Sequence, residues 1–205
     1  VFNSDGSEAK MAGNSIRCLA KFVYDKGIVK KEELTVQTAS GIKKLRLSVI
    51  NQEVSSVSVE MGAPDFDPKS LPSTLTGQRI LNQPVPIGGV GYHISALSVG
   101  TPHCVVFVDR VDSINLKQVG PVFEHAEIFP DRVNTEFVQV VNEYTLKMRV
   151  YERGSGETMS CGTGACAAAV VACELGYCPK GEDITVKQRG GDITVNYTDG
   201  RIVLT

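Results

Sequence analysis

The sequence predicts an α+β protein built from two pseudo-symmetric domains, each a curled, mostly antiparallel sheet or barrel around a central helix. Three observations support this prediction. One loop-and-helix segment occurs twice, at residues 8–27 and 157–176. Strand-like runs surround both copies, and a stretch rich in Pro and Gly, residues 62–91, separates the two halves. A domain boundary at the start of this stretch divides the chain into residues 1–64 and 65–205.

Two glycines occur at equivalent positions in the two copies of the repeat: Gly13 aligns with Gly162, and Gly27 aligns with Gly176. Each copy is predicted to be a short loop, a helix and a C-terminal glycine cap. The first helix has one apolar face, formed by Ile16, Leu19, Ala20 and Val23. The second helix is apolar almost all round, which predicts a buried helix. Its apolar residues are Ala165, Cys166, Ala168, Ala169, Val170, Ala172 and Cys173.

Apolar and alternating runs predict the strands around these helices. The predicted strands are residues 33–38, 44–50, 55–61, 92–99, 104–108, 136–141, 145–151, 184–188, 193–197 and 201–205. The pair Asp199-Gly200 predicts a hairpin turn before the last strand. The first residue is Val1 rather than Met, and the last predicted strand reaches the final residue, so we expect a missing segment at each end.

The composition argues against several classes of function. A formal net charge of −2 over 205 residues lacks the basic excess that phosphate binding needs, so we expect no nucleic-acid partner. The longest apolar run, residues 165–173, is far shorter than the roughly 20 residues of a membrane-spanning helix. Six cysteines without a C-x-x-C pair, with only three histidines, disfavour a disulfide scaffold and a structural zinc site. Free thiols indicate a reducing, cytoplasmic location.

The start of the second helix, Cys161-Gly162-Thr163-Gly164, is the first candidate functional segment. Free backbone N–H groups at a helix start bind anions, and glycines let a ligand approach closely. The same end of the helix dipole stabilises a thiolate and lowers its pKa. We therefore expect Cys161 to act as a base or nucleophile beside a bound carboxylate. The structural alternative is a small buried residue at a tight loop.

The start of the first helix, Ala12-Gly13-Asn14-Ser15, offers the same arrangement of N–H groups. Ala12 occupies the position that Cys161 holds in the other copy. Two such helix starts, related by pseudo-twofold symmetry, could hold one carboxylate from both sides. With a thiol at both positions, one could remove an α-proton while the other donates to the opposite face, which inverts the carbon without a cofactor. Ala12 has no titratable group.

Polar residues near these loops are further candidates, each with an ordinary structural alternative. Arg153, beside Glu152, could bind a carboxylate through two hydrogen bonds, or be a solvated charge at a strand end. His103 could orient or deprotonate a thiol, or be a hydrogen-bonded structural residue. Asn3 and Asn134 could each bind a carboxylate or an amine, or serve a turn.

Several blocks of the sequence form one specific pattern. They are Phe2-Asn3-Ser4-Asp5-Gly6-Ser7-Glu8, Gly13-Asn14-Ser15-Ile16-Arg17-Cys18, Pro102-His103, Phe129-Pro130-Asp131-Arg132-Val133-Asn134, Tyr151-Glu152-Arg153-Gly154-Ser155-Gly156-Glu157 and Cys161-Gly162-Thr163-Gly164-Ala165-Cys166. Together they resemble the diaminopimelate epimerase family over essentially the whole chain. The block that contains Arg153 separates the chain from proline racemases, which share the fold and the C-G-T-G loop.

The resemblance implies an enzyme that interconverts LL- and meso-diaminopimelate, on the route to lysine and peptidoglycan, with no pyridoxal phosphate and no metal. It also implies two domains that close over the substrate, and two cysteines that act as opposed acid and base. Cys161 corresponds to one cysteine, and Ala12 stands where the family has the other. Glu152 and His103 would assist the thiols, with Glu152 also near the substrate. The expected ligands are Gly13, Asn14, Gly162 and Thr163 for the reacting carboxylate, and Asn3, Asn134 and Arg153 for the distal end.

The chain departs from the family pattern at two positions, each directly before one of these motifs. Ala12 replaces a catalytic cysteine, so we expect this chain to be inactive or severely impaired. Thr101 stands where many members have asparagine before Pro-His.

Other functions remain open at this point. The same cleft could bind diaminopimelate without chemistry, or the chain could be a related amino-acid racemase. A cysteine hydrolase using Cys161 and His103 would leave the repeat unexplained. We expect a small-molecule partner and a monomer or homodimer, with the other five cysteines in packing or surface roles.

Overall fold

The computed structural model describes residues 12–205, so Asn3 and the block around it lie outside the described residues. The helices are α1 (Gly13–Asp25), α2 (Leu116–Glu124) and α3 (Gly162–Glu174), with a single 3-10 turn at Val111–Ser113. The strands are β1 (Glu33–Thr38), β2 (Gly41–Ile50), β3 (Glu53–Gly62), β4 (Ile80–Ile87), β5 (Val90–Ser98), β6 (Pro102–Phe107), β7 (Asn134–Asn142), β8 (Thr145–Glu152), β9 (Gly156–Thr158), β10 (Asp183–Gln188), β11 (Gly191–Thr198) and β12 (Arg201–Leu204). The predicted α+β class is confirmed.

The strands follow one continuous hydrogen-bonded path, in the order β1-β2-β3-β12-β11-β10-β8-β7-β6-β5-β4, with β9 beside β8. The pairs β6–β7 and β8–β10 are parallel, and the others are antiparallel. Strand β12, at the C-terminal end of the described residues, pairs with β3 in the first third of the chain, with Leu204 opposite Val59. A division at residues 1–64 and 65–205 therefore has this pairing across it, and the division itself stays a prediction.

The internal repeat is visible in the backbone of α1 and α3. At their starts, the N–H of Ile16 donates to the carbonyl of Ala12 at 3.0 Å, and that of Ala165 to Cys161 at 2.9 Å. At their ends, Gly27 and Gly176 have φ angles of 71° and 78°, a left-handed conformation that favours glycine. The residue after each glycine donates back across the last turn, as in a Schellman cap. Both predicted glycine caps are confirmed.

The core surrounds α3, whose residues from Gly162 to Cys173 are all buried. The prediction of a buried second helix is therefore confirmed. In α1 only part of the predicted face is buried: Ile16 and Ala20 are covered, while Leu19 is 44% exposed. A second apolar cluster lies around α2 and includes Phe123 and Phe137.

Two elements in the middle of the chain differ from the sequence pattern. The stretch rich in Pro and Gly, residues 62–91, separates the two predicted halves, but residues 80–87 within it form β4, which contains Pro84 and Pro86. Strand β4 is an edge strand of the sheet. Proline is tolerated there because it lacks an N–H group, and some N–H groups of an edge strand have no strand partner in any case. Helix α2 contains Gly120 and Pro121, which normally break helices.

The close packing of α2 explains Gly120. A Cβ atom added at Gly120 would lie 2.1 Å from Cδ2 of Tyr151. The helix therefore needs glycine where it crosses β8, and tertiary packing outweighs the poor helix propensity of this position.

Candidate active site

The two helix starts have matching conformations. Ala12 and Cys161 are the N-cap residues of α1 and α3, with φ/ψ angles of −139°/93° and −134°/113°. The Cys161 Sγ accepts a hydrogen bond from the backbone N–H of Gly164 at 3.3 Å, whereas Ala12 provides no side-chain cap. The repeat thus produces two equivalent helix starts that differ in one functional group.

These helix starts meet each other. A Cβ atom added at Gly162 would lie 3.7 Å from the Cα of Gly13 and 3.2 Å from Cδ2 of Leu204. A Cβ atom added at Gly13 would lie 3.0 Å from the same Leu204 atom. A larger residue at either position would crowd Leu204, so both positions require glycine. Because the two helix starts adjoin, the positive ends of their dipoles lie side by side. The Oδ1 of Asn14 is also near, at 3.7 Å from the Cβ position of Gly162.

Cys161 lies in this junction with 7% of its surface exposed. Burial, together with the carboxylates of Glu152 and Glu136, raises the pKa of its thiol to about 12. Hydrogen bonds from Thr163 and Gly164 lower the pKa, but by less. The predicted lowering of the Cys161 pKa is therefore wrong. Desolvation of a thiolate outweighs the dipole and the two hydrogen bonds here. The raised pKa favours the protonated form of the thiol at neutral pH.

The backbone of Cys161 is held separately from its thiol. Its N–H donates to Oε1 of Gln188 at 2.8 Å. Gln188 ends β10, so this bond fixes the loop before α3 against the sheet.

His103 lies beneath the junction and is fully buried. Its Nδ1 is 2.7 Å from Oε1 of Glu136, which is also fully buried, and its Nε2 is 2.9 Å from Oγ1 of Thr101. The thiol of Cys161 lies 3.5 Å from Oγ1 of Thr163 instead. Hydroxyl groups thus stand between the histidine and the thiol, which disfavours a hydrolase with a direct cysteine–histidine pair.

Asn134 joins two loops of the site. Its Nδ2 donates to the carbonyl of Pro102 at 3.1 Å, and its Oδ1 accepts from the backbone N–H of Arg153 at 2.8 Å. Next along the chain, the N–H of Gly154 donates to the buried Glu124 at 2.8 Å. Asn134 and Glu124 therefore fix the loop that carries the Arg153 side chain.

The two charged side chains of that loop differ in environment. Arg153 is exposed, and its Nη1 donates to the carbonyl of Asp131 at 3.2 Å. Glu152 is half-buried and accepts a hydrogen bond of 2.5 Å from the hydroxyl of Thr158. Glu152 contributes to the raised pKa of Cys161, which places its charge within electrostatic range of the thiol.

Within residues 12–205, no three His, Cys, Asp or Glu side chains converge in a way that could hold a metal ion. Over the same range, no helix is both long and apolar enough to cross a membrane.

Comparison with known proteins decides the family. The sequence profile of diaminopimelate epimerase matches residues 1–66 and 95–203. The chain belongs to the diaminopimelate epimerase family. The diaminopimelate epimerase of Moorella thermoacetica is 44% identical over 207 residues, which cover 100% of this chain and 74% of the relative. That of Desulfovibrio desulfuricans is 42% identical, over 97% of this chain and 71% of the relative.

The fold is shared more widely than the sequence. The structure of a hydroxyproline epimerase from Agrobacterium vitis superposes with a TM-score of 0.70 at 16% identity, over 98% of this chain and 65% of that one. The chain thus spans about two thirds of that enzyme's length. This likeness confirms the predicted epimerase-like fold.

One residue of the site, Glu136, is not identified as such by the sequence pattern. The pattern places Glu136 only in a strand, yet it is the hydrogen-bond partner of His103. A charged residue inside an apolar strand is the available signal, because a buried carboxyl group needs a partner. Thr101 differs from the family pattern, and the structure shows that it contacts His103.

Proposed function

We propose that this chain has the catalytic architecture of a diaminopimelate epimerase with one of its two acid–base groups missing. The pair of adjoining helix starts supports the proposal most strongly, because one carries a thiol and the other, at Ala12, carries a methyl group. In the proposed reaction the N–H groups of Gly13, Asn14, Gly162 and Thr163 bind the carboxylate next to the reacting carbon. That charge–dipole interaction stabilises the carbanion formed when the α-proton leaves.

Inversion requires a proton to leave one face of the α-carbon and another to arrive at the opposite face. Cys161 serves one face, as the donor in one direction and, once deprotonated, as the acceptor in the other. The substrate's α-ammonium group is the cation that would offset the carboxylates of Glu152 and Glu136 and favour the thiolate. Ala12 leaves the opposite face without a group that can hold or supply a proton.

The remaining site residues have supporting roles in this proposal. His103 and Glu152 set the proton affinity of the thiol. Arg153 and Asn134, together with Asn3 outside the described residues, recognise the distal amino-acid end of the substrate. Arg153 is the main charged group for this purpose because its side chain is exposed while its backbone is fixed by Asn134.

Restoring the missing thiol tests the proposal. We expect the protein with Ala12 to invert LL-diaminopimelate at least about 10²-fold more slowly than the Ala12→Cys variant, as is typical for loss of one positioned acid or base. The assay follows formation of the meso isomer by chiral chromatography. A variant that carries both Ala12→Cys and Cys161→Ala is the matched control and should be as slow as the unaltered protein. Equal inversion rates for the unaltered protein and the Ala12→Cys variant would contradict the proposal.

A second candidate function is favoured by Ala12 itself. A protein with this cleft and only one thiol could bind diaminopimelate without converting it. Calorimetry with the LL and meso isomers separates the two functions: tight binding by the Ala12 protein, with no gain of inversion in the Ala12→Cys variant, would favour a binding role.

A further inference from the structure

The Glu136 carboxyl group is the most unusual charge in the described part of the chain. It is fully buried in β7, and its Oε2 has no hydrogen-bond partner among residues 12–205. Burial raises its pKa, while His103 acts in the opposite direction. A buried carboxyl group with an unpaired oxygen destabilises a protein, so its presence indicates a requirement other than stability. The proposed function assigns this side chain no hydrogen bond to the substrate.

Its position indicates what that requirement is. A Cβ atom added at Gly164 would lie 2.6 Å from Glu136 Oε1 and 3.2 Å from Cys161 Sγ. The carboxyl group is therefore packed against the first turn of α3, next to the thiol. The titratable groups around it are His103 and Cys104 on β6, Glu152 on β8 and Cys161 itself.

A chain of hydrogen bonds connects Glu136 to the thiol by a second route. Glu136 Oε1 is 2.7 Å from Nδ1 of His103, whose Nε2 is 2.9 Å from Oγ1 of Thr101. The Thr101 hydroxyl donates to Oγ1 of Thr163 at 3.5 Å, and that oxygen lies 3.5 Å from Cys161 Sγ. The last two contacts are longer than the typical O–H···O distance of about 2.7–2.8 Å, so they are the weakest links of this chain of hydrogen bonds.

The direction of these bonds follows from proton counting. A hydroxyl group has one proton, and Thr101 directs its proton toward Thr163, so Nε2 of His103 must be the donor to Thr101. Nδ1 then either donates to the Glu136 carboxylate or accepts from the protonated carboxyl group. Both arrangements leave a proton on Nε2. Thr163, which accepts from Thr101, has its own proton free to point at the sulfur.

We propose that Glu136 and Thr101 are positioning residues for Cys161: Glu136 fixes His103 with its Nε2 proton toward Thr101, and Thr101 passes that orientation to the Thr163 hydroxyl beside the thiol. The proposal rests on the proposed function for its catalytic meaning, but its geometry concerns the thiol alone. The consequence is a directed donor at Cys161 Sγ that favours the thiolate.

The alkylation rate of Cys161 measures this donor, because iodoacetamide reacts with the thiolate. We expect Thr101→Val to slow alkylation of Cys161 at pH 8.5 by about 3–10-fold, since a hydrogen bond to a charged group is lost. Thr101→Ser keeps the hydroxyl and should stay within about twofold of the unaltered protein. Peptide mass spectrometry resolves each cysteine, and the exposed Cys18 is the internal reference for reagent activity. Equal rates in the Val and Ser variants would overturn the proposal.

Glu136→Gln tests whether the carboxyl group acts through Thr101 or directly by its charge. Because the Glu136 charge also raises the pKa of Cys161 directly, Glu136→Gln should have some effect in both backgrounds. We expect its effect on the alkylation rate of Cys161 with Thr101 present to differ from its effect in the Thr101→Val background by at least about threefold, because coupled residues are not additive. An effect of the same size in both backgrounds would indicate a direct charge effect and overturn the proposal.

A measurement on the unaltered protein keeps the proposal testable if a variant fails to fold. Nitrogen-15 chemical shifts of the His103 ring report which nitrogen carries a proton. We expect a protonated Nε2, and an unprotonated Nε2 would reverse the bond directions and overturn the proposal. None of these measurements uses diaminopimelate, so their outcome is separate from that of the inversion assay.

Discussion

Replacing Gly164 by alanine tests how tightly the thiol, the buried carboxyl group and α3 are packed. The new Cβ atom would lie 2.6 Å from Glu136 Oε1, a distance that real contacts do not reach, and both neighbouring side chains are buried. Overpacking costs about 1–3 kcal/mol. If Glu136 moves, its bond to His103 breaks, and buried unpaired groups cost about 1–3 kcal/mol more. Alanine recovers up to about 1 kcal/mol through its helix propensity.

We therefore expect Gly164→Ala to lower the free energy of unfolding by about 2–4 kcal/mol. For a chain of this length, each kcal/mol lowers the Tm by about 2–4 °C, so the Tm should fall by about 4–16 °C. Differential scanning calorimetry measures the change. Gly91→Ala is the control, because a Cβ atom there meets nothing within 4 Å. A Gly164→Ala protein that melts together with the control would refute the packing described around Cys161.

Three further predictions concern the scaffold of the site. Gly120→Ala should lower the stability in urea by about 1–3 kcal/mol, because its Cβ would collide with the Tyr151 ring. Asn134→Ala should lower the Tm and raise proteolysis of the 153–154 loop, since bonds to Pro102 and Arg153 are lost at a cost of about 1–3 kcal/mol. Burial raises the pKa of Glu174, but hydrogen bonds from Lys180, Tyr197 and Arg79 outweigh it and lower the pKa to about 2. The stability from this depressed pKa is present above the unfolded value near 4.5 and is lost as the pH falls toward 2. Because solvent screens part of these interactions, Glu174→Gln should destabilise the protein by about 1–3 kcal/mol at pH 7 and by little near pH 2, as pH-dependent urea unfolding will show.

Local patterns are sufficient to predict much of the fold. The second helix is apolar on every side, and this pattern alone predicts the burial found for α3. The repeat predicts both glycine caps, because a left-handed residue at a helix end leaves a recognisable glycine in the sequence. The helix α2 and the strand β4 escape such a prediction because their prolines and Gly120 are locally unfavourable, and only their packing and edge position make them acceptable.

The candidate site is predictable where it depends on the repeat. The alignment of the two copies is enough to place Ala12 and Cys161 in equivalent positions. The electrostatics are not predictable in this way, because the pKa of Cys161 depends on burial and on Glu136, a residue distant in the sequence. The same holds for Asn134, since its two hydrogen bonds join loops that are far apart in the chain.

Hydrogen exchange at the α-carbon tests most directly whether Cys161 acts on one face only. In deuterium oxide the protein with Ala12 should place deuterium at the α-carbon of one diaminopimelate epimer without inverting it, because Cys161 removes and returns a proton on a single face. The rate should rise with pH, since the thiol is mostly protonated at neutral pH. The Ala12→Cys variant should exchange and invert together. Exchange that persists after Cys161→Ala, or inversion by the Ala12 protein as fast as its exchange, would contradict the account.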